Sequence, residues 1–545
     1  MGFTQQIWAS LRPLGAGVLA LCLFASGRAV SASEQNGARP GGAPQPPATA
    51  PAQTAGTGPQ LQVTADEAVK MALENNLGIQ AFRLSPEIQA LALAQTRATY
   101  APVLFSNTTK NSNSNPPSNF LSGSSTDFVT NAGFRSNIGV AQQLKWGGGT
   151  LQAAIDGARN TTSDPSDPFN PRLSSNFNFN YTQPLLRNFT IDATRQQLLL
   201  GEKQREIIDV QLQQQITQTA RRVRSAYFDL IGAIGQLDVA RQTLQLSQQS
   251  LKDNQIKVEV GTLPPIDIVE AQAEVARNEE GVIISEARIK TLEDALRTLI
   301  MNPTQPEFWT TRLVPAEQPM LAPQPVNVEE AVTNALASRT DLIQARKQLE
   351  QTDIGISFSR NQRLPEVNAV VNYGLAGVAG TIFEFDYNAG NFPPPILSQS
   401  QRSFGDALRD IFGNEFKTWS LQLQFRYPVG TSQAEAALAQ SRVQRQQDVT
   451  SLRQLEMQVA TAVRDTGRQV ETTLKRVEAT RKAREFAERR LEAEQKRIAV
   501  GLSTTFQLFQ AQRELSQQRL AELNAVIDYN RALVNFQAVQ MVPLQ

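Results

Sequence analysis

The chain has 545 residues, with 52 Lys+Arg against 51 Asp+Glu, no histidine and a single cysteine. So even a charge balance removes the basic surface that nucleic-acid binding needs. Without histidine or spare cysteine, the commonest ligands for zinc, iron and copper and the usual Ser-His and Cys-His nucleophile pairs are missing, so no metal, cofactor or enzyme activity is expected, a carboxylate-only enzyme being the remaining exception.

Residues 1–32 have the pattern of an export signal. Arg12 precedes the apolar run PLGAGVLALCLFA (13–25), which is too short to span a membrane, and Val30-Ser31-Ala32 offers a small-residue cleavage site. Cys22 lies in this run; Leu21 before it and Leu23-Phe24 after it suit an apolar signal core better than a lipidation box. Residues 33–60, rich in Pro, Gly, Ala and Gln, are expected to form a flexible leader. No later segment has the roughly 18–20 consecutive apolar residues of a transmembrane helix.

A helix start, DEAVKMALENN (66–76), opens the next region, and then the hydrophobic period changes to two. In FRSNIGVAQQLKW (134–146), Phe134, Ile138, Val140, Leu144 and Trp146 share one face. In LSSNFNFNYTQP (173–184), Leu173, Phe177, Phe179 and Tyr181 do so, opposite Ser, Asn and Thr. Half-apolar strands also occur in soluble sheets. These, however, are about 9–12 residues long, the length that crosses a bilayer at a tilt, and their opposite faces suit a water-filled lumen. The segment 147–172 resembles an added hairpin arm, which gives the first half either two or four strands; residues 101–109 alternate poorly and leave both counts open. KNSNSNPPSNFLSGSSTD (110–127) reads as a surface loop.

From about Asp192 to Val260 there is no proline, and Ile216, Val223, Leu230, Leu237, Leu244, Leu251 and Val258 recur every seven residues. That period predicts helices wound left-handed about their neighbours, here roughly 65 residues and on the order of 100 Å long at 1.5 Å per residue. Gly261 ends the run and Pro264 opens the next helix, so 257–272 (KVEVGTLPPIDIVEAQ) is a helical-hairpin tip.

A proline-rich connector (301–325) follows, and then the pattern returns. EEAVTNALASR (329–339) matches the first helix start 263 positions on. VNAVVNYGL (367–375) and KTWSLQLQFRYP (417–428) are further alternating segments, the second placing Trp419, Leu421, Leu423, Phe425 and Tyr427 on one face, and 377–416 between them reads as an irregular surface loop. Val463, Val470, Val477, Leu491 and Ile498 carry the second heptad run, interrupted at Glu456 and Arg484. RIAVGLSTTFQLFQAQ (497–512) repeats the tip, with Gly501 lying 240 positions after Gly261. The chain is therefore expected to be a tandem duplication, with repeats at 61–300 and 326–545.

The paired DEAV and EEAV helix starts, AYFDLI (226–231), TQPLL (182–186) and the tip VGLSTTFQLFQAQ together resemble the TolC-like outer-membrane efflux channels, over nearly the whole mature length. The resemblance implies a mainly α fold with β: a homotrimeric outer-membrane β-barrel continuous with a long α-helical barrel reaching into the periplasm. It implies a passive exit duct for an efflux or type I secretion system, docked to a periplasmic adaptor and an inner-membrane pump or secretion ATPase. On this reading Val260, Gly261, Val500, Gly501, Leu502 and Ser503 form the docking tip, and Trp146, Tyr181 and Tyr427 an interfacial aromatic girdle. TolC carries acids at its second-copy tip where this chain has Gln507 and Gln510, while the first copy offers Asp267 and Glu270; these four are the candidate constriction. The rival is a periplasmic coiled-coil adaptor, which would carry one helical hairpin flanked by compact β-domains rather than two hairpins and bilayer-length strands.

Overall fold

The computed structural model describes residues 59–116, 128–317, 326–386, 388–390, 394–430 and 432–540. The export signal, Cys22 and all of the leader but Pro59 and Gln60 lie outside them.

The first half runs β1 (Gln60–Val63), α1 (Ala65–Asn75), α2 (Leu77–Arg83), α3 (Ser85–Ala98), β2 (Val103–Asn115), β3 (Val129–Gln143), β4 (Thr150–Thr162), β5 (Phe169–Pro184), α4 (Ala193–Glu259) and α5 (Ile266–Ile300). The second runs β6 (Arg312–Pro315), α6 (Val328–Ser338), α7 (Thr340–Gln362), β7 (Glu366–Phe385), β8 (Ile396–Arg402), α8 (Phe404–Phe412), β9 (Phe416–Arg426), α9 (Gln433–Ala499) and α10 (Thr505–Val539). The mainly α architecture with β is thus present. No described helix is long and apolar enough to cross a membrane.

Both long helices, α4 and α9, contain 67 residues, and both return helices, α5 and α10, contain 35. The heptad positions explain where they pack. Val223 and Leu230 of α4 are buried against α1 and α5, together with Tyr227, whose hydroxyl donates to the Val63 carbonyl (3.1 Å), and Leu237 is buried farther along the helix. On α9, Val463, Val470 and Val477 are buried against Tyr529, Ala532 and Phe536 of α10. Capping sets the helix starts: Thr64 and Glu67 form a capping box on α1, Asp192 caps α4 (2.7 Å to the Arg195 amide) and Ser432 caps α9. Where α4 meets α7, Lys203 and Lys347 alternate with Glu206 and Glu350 at 2.7–3.2 Å, which links the two halves and holds both carboxyls below their ordinary range.

Strands β1 and β6 form a short parallel pair, and the others form one antiparallel meander in the order β2-β3-β4-β5-β7, with β9 pairing the first half of β7 and β8 its last part. The first half of the chain contributes four strands, so the added segment is a strand (β4). Three sequence expectations change here. Residues 103–115 form a 13-residue strand although they alternate poorly, so 110–115 are not loop; above the apolar band both faces of a strand meet water and period two loses its driving force. The stretch 377–416 is not an irregular loop but completes β7 and holds β8 and α8. And β3 ends at Gln143 rather than at Trp146, because Gly147 and Gly148 take positive φ (65° and 67°) and turn the chain into β4.

Candidate functional site

The sheet has two chemically distinct faces, and register places their residues. Ile138, Ile155, Phe177 and Leu375 lie in one cross-strand row, and Leu151, Tyr181, Val371 and Leu421 in another on the same face. The opposite face is amide and hydroxyl. Asn176 and Asn178 donate to the Asp156 carboxylate (3.0 and 3.3 Å), while Asn180 is bonded to Asn372, which donates to Ser420 Oγ (3.0 Å). This is the distribution of a barrel wall with lipid outside and water inside. Edge strands β2 and β9 leave a row of backbone groups unpaired by any described strand, and β9 carries Trp419, Leu421, Leu423 and Phe425 exposed at 69–74%.

Trp146, Tyr181 and Tyr427 all lie at the sheet end that joins the helices. Trp146 stands exposed on the β3–β4 turn, edge-on to Phe189 with ring centroids 6.2 Å apart. Tyr427 is exposed just past β9. Tyr181 is half-buried and donates to Gln183 Oε1 (2.6 Å). The junction beside them is pinned by Arg195, whose guanidinium donates to the carbonyls of Phe189 and Thr190 (2.7 and 2.9 Å).

At the far end of the helices, Gly261 and Gly501 adopt φ of 82° and 75°, with open space where a side chain would stand. Each is the left-handed residue that stops a helix: the Thr262 amide returns to the Lys257 carbonyl (2.8 Å) and the Leu502 amide to the Arg497 carbonyl (2.9 Å). The consequence is an apolar tip in water, with Val260 at 73%, Val500 at 68% and Leu502 at 77% exposure. Ser503 differs from its neighbours, since its half-buried hydroxyl lies against Glu494 and donates to Gln507 Oε1 (2.8 Å).

The four constriction candidates lie in the first two turns of α5 and α10, whose starts are adjacent: Thr505 Oγ1 donates to Asp267 Oδ1 (3.3 Å). Glu270, Gln507 and Gln510 are exposed.

Sequence reading missed the seam between α4 and α10, which joins the two halves along their length. Asp229 pairs with Arg531, Gln236 donates to Asn524 (3.1 Å), Thr243 to Ser516 (3.0 Å), and Ser250 accepts from Gln512 (3.0 Å). Positions 229, 236, 243 and 250 are themselves a heptad, polar and parallel to the apolar one. That second seven-residue run was the available signal.

A family model described as outer membrane efflux protein matches residues 68–300 and 331–539. Solved structures with a similar fold include a membrane protein from Pseudomonas aeruginosa (TM-score 0.61, 16% identity, covering 87% of this chain and 92% of that one). The Campylobacter jejuni CmeC outer membrane channel is similar at TM-score 0.61 and 12% identity, over 88% of this chain and 85% of that one. So is the open state of the Neisseria gonorrhoeae MtrE outer membrane channel, at TM-score 0.59 and 14% identity over 88% and 89%. No protein of curated function matches.

Proposed function

Because this chain belongs to the outer membrane efflux protein family, we propose that copies of it, three in number, close into a single duct of the following design. The protein is an outer-membrane exit duct of an efflux system, with its helices extending into the periplasm; its family is one of channels rather than of enzymes, and nothing in the match favours the adaptor reading. Edge β9 of each copy pairs with edge β2 of the next, because unpaired backbone cannot face lipid. With six full-length strand positions per chain, the barrel has about eighteen strands. The observation that carries this reading is the open, two-faced sheet running directly into 67-residue helices, since neither part can bury its exposed surface alone. Electron-microscope images of the detergent-extracted particle test it. A threefold tube longer than about 100 Å, belted with detergent at one end, is the expected result; slender rods with no belt would exclude it.

The tip docks a periplasmic adaptor, and behind it stands an inner-membrane pump or secretion ATPase that supplies the energy. The duct itself contributes a polar lumen and an entrance that widens as its helical hairpins part. We assign that movement to the α4–α10 seam. A hydrogen bond contributes only about 0.5–1.5 kcal/mol net, because the groups it joins bond to water once they part, so a seam of such bonds separates more easily than the apolar seam between α9 and α10. Replacing Ser250 and Gln512, both under 8% exposed, by glutamate places like charges in contact and is expected to raise conductance in planar bilayers several-fold. Ser250→Lys with Gln512→Glu should return it to the wild-type level. Equal conductance in all three proteins would remove the seam from the mechanism.

Asp267 and Glu270 give the entrance its negative charge on this reading. Asp267→Asn with Glu270→Gln is expected to weaken block of the bilayer current by divalent cations by roughly tenfold, through loss of the local negative potential. An unchanged block would move the constriction elsewhere.

A further inference from the structure

Helix α8 lies on the apolar face of the sheet, where an uninterrupted barrel wall would have none. The sheet makes room for it: the row beneath it is Ser136, Gly157, Ser175 and Gly377, all small. A methyl group at Gly157 would stand 2.8 Å from the Phe404 ring, and one at Gly377 would strike the Ala407 backbone. Ala407 and Ile411 are buried against the strands, while Phe412 points away at 84% exposure. Two hydrogen bonds from Arg402, to the Val378 carbonyl (3.0 Å) and to buried Asp410 (2.7 Å), tie the helix down.

The helix does not reach across to β2 and β3. Between Phe404 and Leu408 on one side and Ser106, Ser136, Ile138 and Ile155 on the other remains a mainly apolar hollow of about 620 Å³. Its outer rim is the next row of the same face, in which Lys110 and Arg159 flank Phe134 as direct register neighbours. Both cations are exposed, and neither makes an ion pair with another described residue. The acids of α8 are already engaged, Asp406 by Ser403 and Arg409 and Asp410 by Arg402. That row lies on the side of the apolar band away from the helices, where the outer leaflet's headgroups begin.

We propose that this hollow binds an outer-leaflet lipid that carries phosphate monoesters, its acyl chain lying beside Phe404 over the small residues and a phosphate between Lys110 and Arg159. Charge complementarity chooses the occupant: an acyl chain alone would not need two cations at its outer end, and a phosphate alone would not need an apolar floor. The site rests on the duct reading above, in which this face meets lipid.

The test is native mass spectrometry of the detergent-extracted oligomer, stripped of endogenous lipid and titrated with diphosphoryl lipid A or with phosphatidylethanolamine. Lipid A is expected to bind roughly tenfold more tightly than phosphatidylethanolamine, and Lys110→Gln with Arg159→Gln to abolish that preference. Ser136→Trp, which fills the hollow, should remove binding of both. Arg159→Gln alone alters only an exposed side chain and should still weaken lipid A measurably. Affinities unchanged across these variants, or equal for the two lipids in the wild type, would overturn the site. So would a Ser136→Trp oligomer that falls apart while each chain still takes up lipid, which would make the hollow a contact between copies. A chain extracted without any detergent belt would instead refute the duct itself.

Discussion

Leu421→Arg combined with Leu423→Arg is expected to abolish insertion into the outer membrane. Both side chains stand about 70% exposed on the apolar face of β9, in the middle of an 11-residue strand. An arginine on the lipid face of a β-barrel costs about 2–4 kcal/mol at the bilayer midplane and less toward the interface, so two cost up to about 8 kcal/mol, comparable with the whole stability of many domains. The control lies one residue away. Gln422→Arg with Gln424→Arg places the same charges on the same strand but on the polar face, where the lumen's water solvates them, and should insert normally. The measurement is the amount of heat-modifiable oligomer recovered from outer membranes. Equal recovery of the two double variants would mean that the faces of the sheet are not divided between lipid and water.

The second large effect is expected at the periplasmic tip. Val500→Asp with Leu502→Asp should leave the channel assembled and conducting in bilayers, yet stop efflux in cells whose only such channel is this one. Each side chain is worth about 1.5–3 kcal/mol when a partner covers it, so the pair is worth roughly 10²- to 10⁴-fold in affinity for an adaptor. Gly501 tests the same tip by a different route. Nothing stands within 4 Å of the position a side chain would take, so crowding does not matter there. Its φ of 75° does: Gly501→Val forces a β-branched residue into the left-handed region at about 1–2 kcal/mol, whereas Gly501→Asn tolerates it. Efflux should fall with valine and survive with asparagine. Full efflux in the double aspartate variant would take docking away from these residues.

What could be read in advance follows from how locally each signal is written. The proline-free run from Asp192 to Gly261 placed the long helix within a residue of α4, and the seven-residue spacing of Val223, Leu230 and Leu237 named its buried face, because a heptad states its own burial face. The face of β9 was equally plain, since lipid on one side and water on the other imprint period two directly on the chain. Where that contrast ends, as along Lys110–Asn115 of β2, the strand continues only because β3 offers it backbone partners, and no residue pattern records that. The sequence likewise contained α8, FGDALRDIF, but not its place: the helix settles over Gly157, Ser175 and Gly377, which reveal their role only when register aligns them across three strands. The polar seam is the clearest case. Ser250 and Gln512 are 262 positions apart, and each alone is an ordinary polar residue on a helix. Local periodicity therefore determined the elements and their faces. The tertiary structure alone decided which faces meet, since the hydrogen bonds and close contacts that join distant segments depend on positions in space rather than on spacing along the chain.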